Sequence, residues 1–176
     1  MNDGASWGRG LTYGLRLVAV GYLSAAASLV FWSHAPMVLG WQSRVVISGS
    51  MLPTIRPGDV ALIGAATPGP KTLPPGRIIL VRDPTRSTGY YLHRVRRYEP
   101  SGKVVTRGDA NRVDDYPAID RAQVAGQMRL LVPFVGLPML WWQEHEWVRL
   151  GALVGLSWSS LVLALGLRRP RSRRAR

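Results

Sequence analysis

The sequence contains no cysteine and almost no lysine. Without cysteine, the 176 residues offer no disulfide framework, no thiolate metal site and no cysteine nucleophile. Lys71 and Lys103 are the two lysines, and all other basic residues are arginines. Acidic residues are also scarce, 10 against 23 basic ones, which gives a formal net charge of +13. A catalytic cysteine is therefore excluded, and a catalytic lysine has only two candidates.

The positive charge is concentrated at the C-terminal end. Six arginines lie within residues 168–176, directly after an apolar run. A basic tail beside an apolar segment is typical of the cytoplasmic end of a transmembrane helix. Phosphate binding by the tail is the alternative interpretation.

Two apolar runs are long enough to cross a bilayer, which takes about 20 residues as a helix. The first, 17–41, contains no Lys, Arg, Asp or Glu, and the second is 147–167. A cleavable signal peptide is an alternative for the first run, because Ala25-Ala26-Ala27 offers small residues for cleavage. Signal-peptide apolar regions are usually about 7–15 residues long. This run continues to Val38, so we expect an uncleaved transmembrane anchor.

The distribution of positive charge also predicts the topology. The bias of basic residues toward the cytoplasm places the tail at 168–176 on that side. Two crossings return residues 1–16 to the cytoplasm and leave 42–146 outside. The sequence therefore predicts a multi-pass protein of the cell membrane with an extracytoplasmic domain.

The segment between the apolar runs predicts a small, mostly β domain over residues 42–129. Its strand-like segments are β-branched or aromatic and are bounded by Gly, Pro and Asp. They lie at 43–47, 60–63, 77–81, 89–96 and 103–106. The predicted fold is a small β catalytic domain flanked by an N-terminal and a C-terminal transmembrane helix.

The membrane-proximal segment 130–146 is harder to assign. Its first part, 130–142, is apolar, is interrupted by Pro133 and Pro138, and is too short to span a membrane. It is either an element of the core or a surface that dips into the membrane.

Residues 45–59 carry the most specific motif, VVISGSMLPTIRPGD. An apolar strand-like run ends in small residues and a serine, and turn-forming residues follow. This stretch resembles the nucleophile segment of type I signal peptidases, the membrane-bound serine proteases that remove signal peptides from exported proteins. In that family the serine directly before the methionine attacks the peptide. The resemblance therefore implies Ser50 as the nucleophile.

A serine hydroxyl needs a neighbouring base to act as a nucleophile. Most bacterial signal peptidases resemble one another in using a lysine within Tyr-x-Lys-Arg, but residues 91–94 here read YLHR. Lys71 lies in a Pro/Gly loop and Lys103 in a turn. We therefore expect His93 to be the base, with a solvent-facing strand histidine as the alternative.

A second motif, TRGDANRVDD at 106–115, completes the site. It resembles the Gly-Asp-Asn-Asn-x-x-Asp-Asp segment of signal peptidase I of the endoplasmic-reticulum and archaeal type, and the chain is identified as a prokaryotic member. A histidine base needs a carboxylate on its far nitrogen. The resemblance implies Asp115 for this role and Asp109 as a second functional acid, and either remains a candidate for the triad. Ala110 replaces the first Asn of the family's motif.

The remaining site residues concern the oxyanion and the substrate. The backbone N–H of Ser50 is one expected oxyanion donor, and the resemblance implies the Ser48 hydroxyl as another, although Ser48 is also a plausible turn residue. Gly49 has no side chain, so the substrate backbone is expected to approach closely there, and Met51 is assigned to the same substrate-binding group. No metal and no cofactor is expected, because the acids at 109–114 do not have the spacing of a calcium loop.

The sequence thus predicts a serine endopeptidase that removes signal peptides from exported preproteins. Expected partners are preprotein signal peptides, the lipid bilayer and components of the export machinery, and not nucleic acid. Two rivals remain. A self-cleaving Ser/Lys peptidase of the repressor type would need a DNA-binding region and a correctly placed lysine. A non-enzymatic basic membrane-anchored protein would bind anionic lipid or nucleic acid through its tail.

Overall fold

A computed structural model describes residues 3–66, 73–83, 85 and 89–166. Lys71 and the arginine-rich tail at 168–176 lie outside the described residues. The chain divides into two compact units, Met1–Ser28 with Glu144–Arg176 and Leu29–Gln143. Each unit is described by itself.

Three α-helices are present in the described residues, namely α1 (Asp3–His34), α2 (Leu137–Gln143) and α3 (Trp147–Leu165). A short 3₁₀ helix, Ala35–Leu39, follows α1, because Pro36 disfavours continuation of the α-helix. A second one, Arg121–Gln123, precedes the last strand.

The first unit contains most of α1 and all of α3. The segments Gly10–Leu39 and Trp147–Leu165 are long and apolar enough to cross a membrane, and few of their residues are buried. Within this unit the hydroxyls of Tyr22 and Ser157 are hydrogen-bonded at 2.9 Å. The predicted N-terminal and C-terminal apolar helices are therefore present. However, α1 passes through the predicted boundary at residue 17 without interruption, because residues 3–16 are helical as well.

The second unit is built on one antiparallel sheet. Its six strands are β1 (Gln42–Val45), β2 (Val60–Gly64), β3 (Ile78–Arg82), β4 (Tyr90–Tyr98), β5 (Val104–Arg107) and β6 (Val124–Val132). Their order across the sheet is β1-β2-β6-β3-β4-β5. The predicted mostly β fold is confirmed.

Strand β3 shows why the sheet is buried on both faces. Successive side chains of a strand point to opposite faces. Ile78 and Leu80 pack into one hydrophobic cluster with Met51 and Ile55, whereas Ile79 packs into another, on the opposite face. Continuous apolar runs such as β2 and β3 are what a doubly covered sheet requires.

The largest difference from the predicted boundaries lies at the end of the domain. The sequence places the domain boundary at residue 129, but β6 continues to Val132 because residues 130–132 pair with β2. Val132 is buried and packs against Val60 and Leu62. The beginning of the apolar segment 130–142 is therefore part of the sheet, and Val132 belongs to the core.

Candidate active site

Ser50 lies on the connection between β1 and β2, in a turn that is anchored by buried neighbours. Met51 and Ile55 are 1 % and 0 % exposed, and the Ile55 N–H donates to the Met51 carbonyl at 3.0 Å. Two side chains that enter the core thus hold the turn on the sheet. Ser50 itself is half-buried.

His93 reaches this serine from β4. It is paired with Ile79 of β3, and it is 2 % exposed. The ring of Tyr91 meets the imidazole edge-to-face, with the ring centroids 4.8 Å apart. The Nε2 atom of His93 lies 3.2 Å from Oγ of Ser50. The alternative of a solvent-facing strand histidine is therefore wrong.

Asp115 contacts the opposite side of the imidazole. Its Oδ2 lies 2.5 Å from Nδ1 of His93 and accepts a hydrogen bond from the Thr106 hydroxyl at 2.7 Å. The Asp115 N–H also donates to the Thr106 carbonyl at 2.8 Å, which fixes the backbone of the acid. A carboxylate in this position favours the tautomer that carries its proton on Nδ1. Nε2 is then available to accept the proton of Ser50.

The loop after β5 approaches the serine closely at Gly108. A Cβ atom at this position would lie 2.5 Å from the Ser50 carbonyl oxygen and 2.9 Å from Nε2 of His93. The loop also forms a hydrogen bond with this turn, because the Ala110 N–H donates to the Ser50 carbonyl oxygen at 2.9 Å. Because this bond uses the backbone, the replacement of the family's asparagine by Ala110 does not remove it.

Asp109 has a different partner from Asp115. Both of its oxygens accept from the guanidinium of Arg94, at 2.8 Å from Nε and 2.5 Å from Nη2, and the Thr54 hydroxyl donates to it as well. The bond from Arg94 holds the pKa of Asp109 below its ordinary value, although burial opposes this shift. The same pair raises the pKa of Arg94. Asp109 therefore links the loop to β4 and to the segment that carries Ser50.

The third acid of the motif, Asp114, and the described lysine, Lys103, form ion pairs away from Ser50 and His93. Asp114 contacts Arg97 and lies 3.9 Å from Arg107. Lys103 lies in the turn before β5, where its Nζ is 3.9 Å from Asp120. In the described part of the chain, no group of three or more His, Cys, Asp and Glu side chains is arranged to hold a metal ion.

The three residues assigned to the oxyanion and the substrate lie around the serine. The hydroxyl of Ser48 is exposed and lies 3.5 Å from Oγ of Ser50. Gly49 separates the two serines. Met51 belongs mainly to the core, and only part of its side chain lines the space beside Ser50.

A groove of about 660 Å³ opens next to Ser50. One wall is formed by residues 43–48 and the other by residues 90–92 of β4, with Met139 of α2 at its side. β1 is at the edge of the sheet, and β5 pairs with β4 only from Arg94 onward. The groove thus lies between one edge strand and the part of β4 beyond the end of β5.

Two residues beside Ser50, His93 and Asp115 were given no role by the sequence analysis. Thr106 orients the carboxylate of Asp115, and Gly108 leaves room for the contact between the loop and Ser50. Both lie inside the motif at 106–115, and this position was the sequence signal that could have indicated a role in the site. A threonine on a strand and a glycine in a turn have ordinary structural explanations, however, and only the distances distinguish them.

Comparison with known proteins identifies the relatives of this chain. The SEC11 catalytic subunit of the signal peptidase complex from Zygosaccharomyces rouxii is 27 % identical over 157 residues, 78 % of this chain and 88 % of the relative. The SEC11 subunit of Lodderomyces elongisporus is 28 % identical over 159 residues, 83 % of this chain and 93 % of the relative. That of Chaetomium globosum is 27 % identical over 148 residues, which are 79 % and 82 % of the two chains. No protein-family model matches the chain.

The alignments with these relatives extend over about four fifths of the chain. The non-enzymatic alternative, a basic protein that binds lipid or nucleic acid, finds no support among them. The two apolar helices are those of a membrane protein. The chain is thus similar over most of its length to catalytic subunits of the endoplasmic-reticulum type of signal peptidase, and it is a serine endopeptidase.

Proposed function

We propose that the chain cleaves peptides with a Ser50/His93/Asp115 triad. The observation that carries this proposal is the continuous line of contacts, 3.2 Å from Ser50 to His93 and 2.5 Å from His93 to Asp115. The histidine in the middle is buried, so its ring is held in one orientation. No described lysine approaches the serine, since Lys103 pairs with Asp120.

The chemistry follows from these contacts. Nε2 of His93 takes the hydroxyl proton of Ser50 as Oγ attacks the carbonyl carbon of the scissile peptide bond. His93 then gives this proton to the leaving amine, the C–N bond breaks, and the N-terminal fragment remains as an ester on Ser50. Water, deprotonated by His93, hydrolyses the ester and releases the fragment as a carboxylate. Asp115 stabilises the imidazolium in both halves of the reaction.

The tetrahedral intermediate carries an oxyanion that needs hydrogen-bond donors. The hydroxyl of Ser48, exposed and close to Oγ of Ser50, supports its assignment as one donor. The backbone N–H of Ser50 would supply the other. Each such donor contributes about 3 kcal/mol to stabilisation of the transition state.

Signal peptides of exported preproteins are the proposed substrates. The relatives' names assign them to a signal peptidase complex, and we extend this role to the present chain. An extended peptide would lie in the groove beside Ser50 as an added strand, since β1 offers the edge of the sheet. Other subunits of the export machinery are expected as partners, as the word "complex" in the relatives' names suggests.

The proposed location is the cell membrane, which the chain would cross twice through Gly10–Leu39 and Trp147–Leu165. Residues 42–146 would then be extracytoplasmic, with the arginine-rich tail in the cytoplasm. Reporter fusions after residue 60 should register outside and fusions after residue 170 inside. A cytoplasmic signal at residue 60 would contradict the proposal, because signal peptides are cut on the far side of the membrane.

Ser50→Ala tests the nucleophile. The full chain, reconstituted in lipid vesicles, should cleave a peptide that spans a signal-peptide cleavage region, and Ser50→Ala should reduce this activity to background. Ser101→Ala is the matched control, because Ser101 lies in the β4–β5 turn and its hydroxyl contacts Glu99. If Ser50→Ala retains activity that Ser48→Ala loses, the nucleophile has been assigned to the wrong serine.

A further inference from the structure

The groove beside Ser50 is mostly apolar but contains one cation. Among the described residues that line it, Arg44 is the one charged side chain, and no acid is present. Most of the other lining side chains are aliphatic or aromatic, including Val46, Leu80 and Met139. An uncharged peptide would require no cation in such a groove.

Arg44 lies on the edge strand β1 and is positioned by β4. Its guanidinium lies over the ring of Tyr90, with Cζ 4.6 Å from the ring centroid. This cation–π contact holds the guanidinium against the ring. One nitrogen, Nη2, donates to the Gln42 side chain at 3.0 Å.

The remaining donors of Arg44 are not all satisfied. Its Nε is buried and has no hydrogen-bond partner. A buried donor without an acceptor is costly, and native structures contain few of them. Because Nε is covered, an acidic ligand in the groove would meet the terminal nitrogens of the guanidinium instead.

We propose that Arg44 recognises an acidic side chain of the peptide that occupies the groove. The inference rests on the proposed function, since the peptide is the protease substrate. A guanidinium binds a carboxylate through two parallel N–H···O bonds. Arg44 precedes Ser50 by six residues, and an extended chain advances about 3.3 Å per residue. The acidic residue would therefore lie roughly four to six residues from the scissile bond.

The groove is also suited to distinguishing a charged side chain of the peptide from a neutral one. Its walls are largely apolar, so a carboxylate at Arg44 is less screened than on an open surface. A lysine at the same position of the peptide would be repelled by Arg44. An asparagine has the shape of an aspartate but lacks the charge, which makes the Asp/Asn peptide pair a suitable probe.

Paired peptides test the proposal on the full chain in lipid vesicles. Aspartate and asparagine are placed in turn at each position from about seven before to about seven after the scissile bond. At one position four to six residues from the bond, the aspartate peptide should have about tenfold higher kcat/KM, the size expected for a charge-assisted hydrogen bond. Arg44→Gln should bring this ratio to about one. Arg44→Glu should reverse it, so that a lysine peptide becomes the better substrate.

Arg129→Gln is the control for a general loss of positive charge. Arg129 is exposed on β6, where it donates to the Ala65 carbonyl, and it does not line the groove. The control should keep the Asp/Asn ratio of the unmodified protein. An equal loss of the ratio in Arg129→Gln would show a long-range field and overturn a specific contact with Arg44.

Binding separates this inference from the proposed function. The dissociation constants of the same peptides are measured with Ser50→Ala, which cannot form the ester. A preference for aspartate that disappears in Ser50→Ala/Arg44→Gln supports recognition by Arg44, even if cleavage is not observed. Equal affinity for the Asp and Asn peptides at every position would overturn it, whereas cleavage that survives in Ser50→Ala would contradict only the triad.

Discussion

The two carboxylates at opposite ends of the 109–115 loop have different partners. Asp115 contacts His93, and Asp109 contacts Arg94, the next residue of the same strand. Adjacent residues of a strand point to opposite faces, so each acid serves one face of β4. The two side chains are similarly accessible, 21 % and 16 % exposed. The two acids therefore differ in the residue that each contacts and not in their exposure.

The partner determines what each carboxylate can do. Asp115 is placed against a base that changes its protonation state during the proposed reaction. Asp109 is placed against a guanidinium that stays charged at all working pH values. The first acid would take part in proton transfer through the imidazole. The second holds the loop against β4 and, through Thr54, against the nucleophile segment.

Asp115→Asn should have the largest effect in this comparison. The amide N–H can donate a hydrogen bond to Nδ1 of His93, which favours the tautomer with its proton on Nε2, and this tautomer cannot accept the proton of Ser50. A loss on the order of 10⁴-fold in kcat is expected, as for the equivalent change in other serine triads. Cleavage of a neutral peptide by the reconstituted protein measures it. A loss below tenfold would remove Asp115 from the triad.

Asp109→Asn should have an intermediate effect, about 10- to 100-fold on kcat/KM. The substitution keeps the shape of the side chain but leaves Arg94 without its carboxylate, so the loop that contacts Ser50 is less firmly held. Asp114→Asn is the matched control, because Asp114 lies on the same loop and pairs with arginines of β4 and β5, Arg97 and Arg107, instead of with Arg94. An effect of Asp109→Asn as large as that of Asp115→Asn would show that both acids act on the imidazole.

The pH dependence of the free energy of unfolding tests the ion pair between Asp109 and Arg94. The pKa of Asp109 is lowered in the folded protein, so the charged carboxylate stabilises the fold at pH values above its ordinary pKa of 3.8. This stabilisation is lost as the pH falls through the lower folded value. The wild type should therefore resist denaturant better than Asp109→Asn near pH 6, and the difference should shrink below pH 4. A constant difference between these pH values would contradict the role of the ion pair.

The sequence predicted the strands and the motifs more reliably than the contacts between them. Alternating and continuous apolar runs place β2, β3 and β4 within one or two residues. The end of β6 was missed because residues 130–132 are apolar in either a strand or a membrane-proximal segment. Only pairing with β2 decides between these alternatives, and pairing is a long-range property.

The choice between the two acids shows a similar limit. Both belong to one motif, and the spacing of 109 and 115 does not indicate which carboxylate faces the histidine. The resemblance favoured Asp115, and the structure places that residue against Nδ1. Its catalytic role stays a prediction. The position of Arg44 over Tyr90 could not be read from the sequence, because the two residues are far apart in the chain and meet only across the groove.

The smallest expected effects come from the two threonines that support the acids. Thr106 donates to Asp115 and Thr54 donates to Asp109, so Thr→Val removes one hydroxyl from each pair while keeping the side-chain volume. Thr106 is buried, and its loss should allow the carboxylate of Asp115 to rotate, with about a tenfold decrease in kcat. Thr54 is exposed, and water can replace its hydroxyl, so the decrease should be about threefold or less. Both variants should be compared with wild type on one neutral peptide. A larger decrease in kcat for Thr54→Val than for Thr106→Val would contradict the assignment of Asp115, rather than Asp109, to the triad.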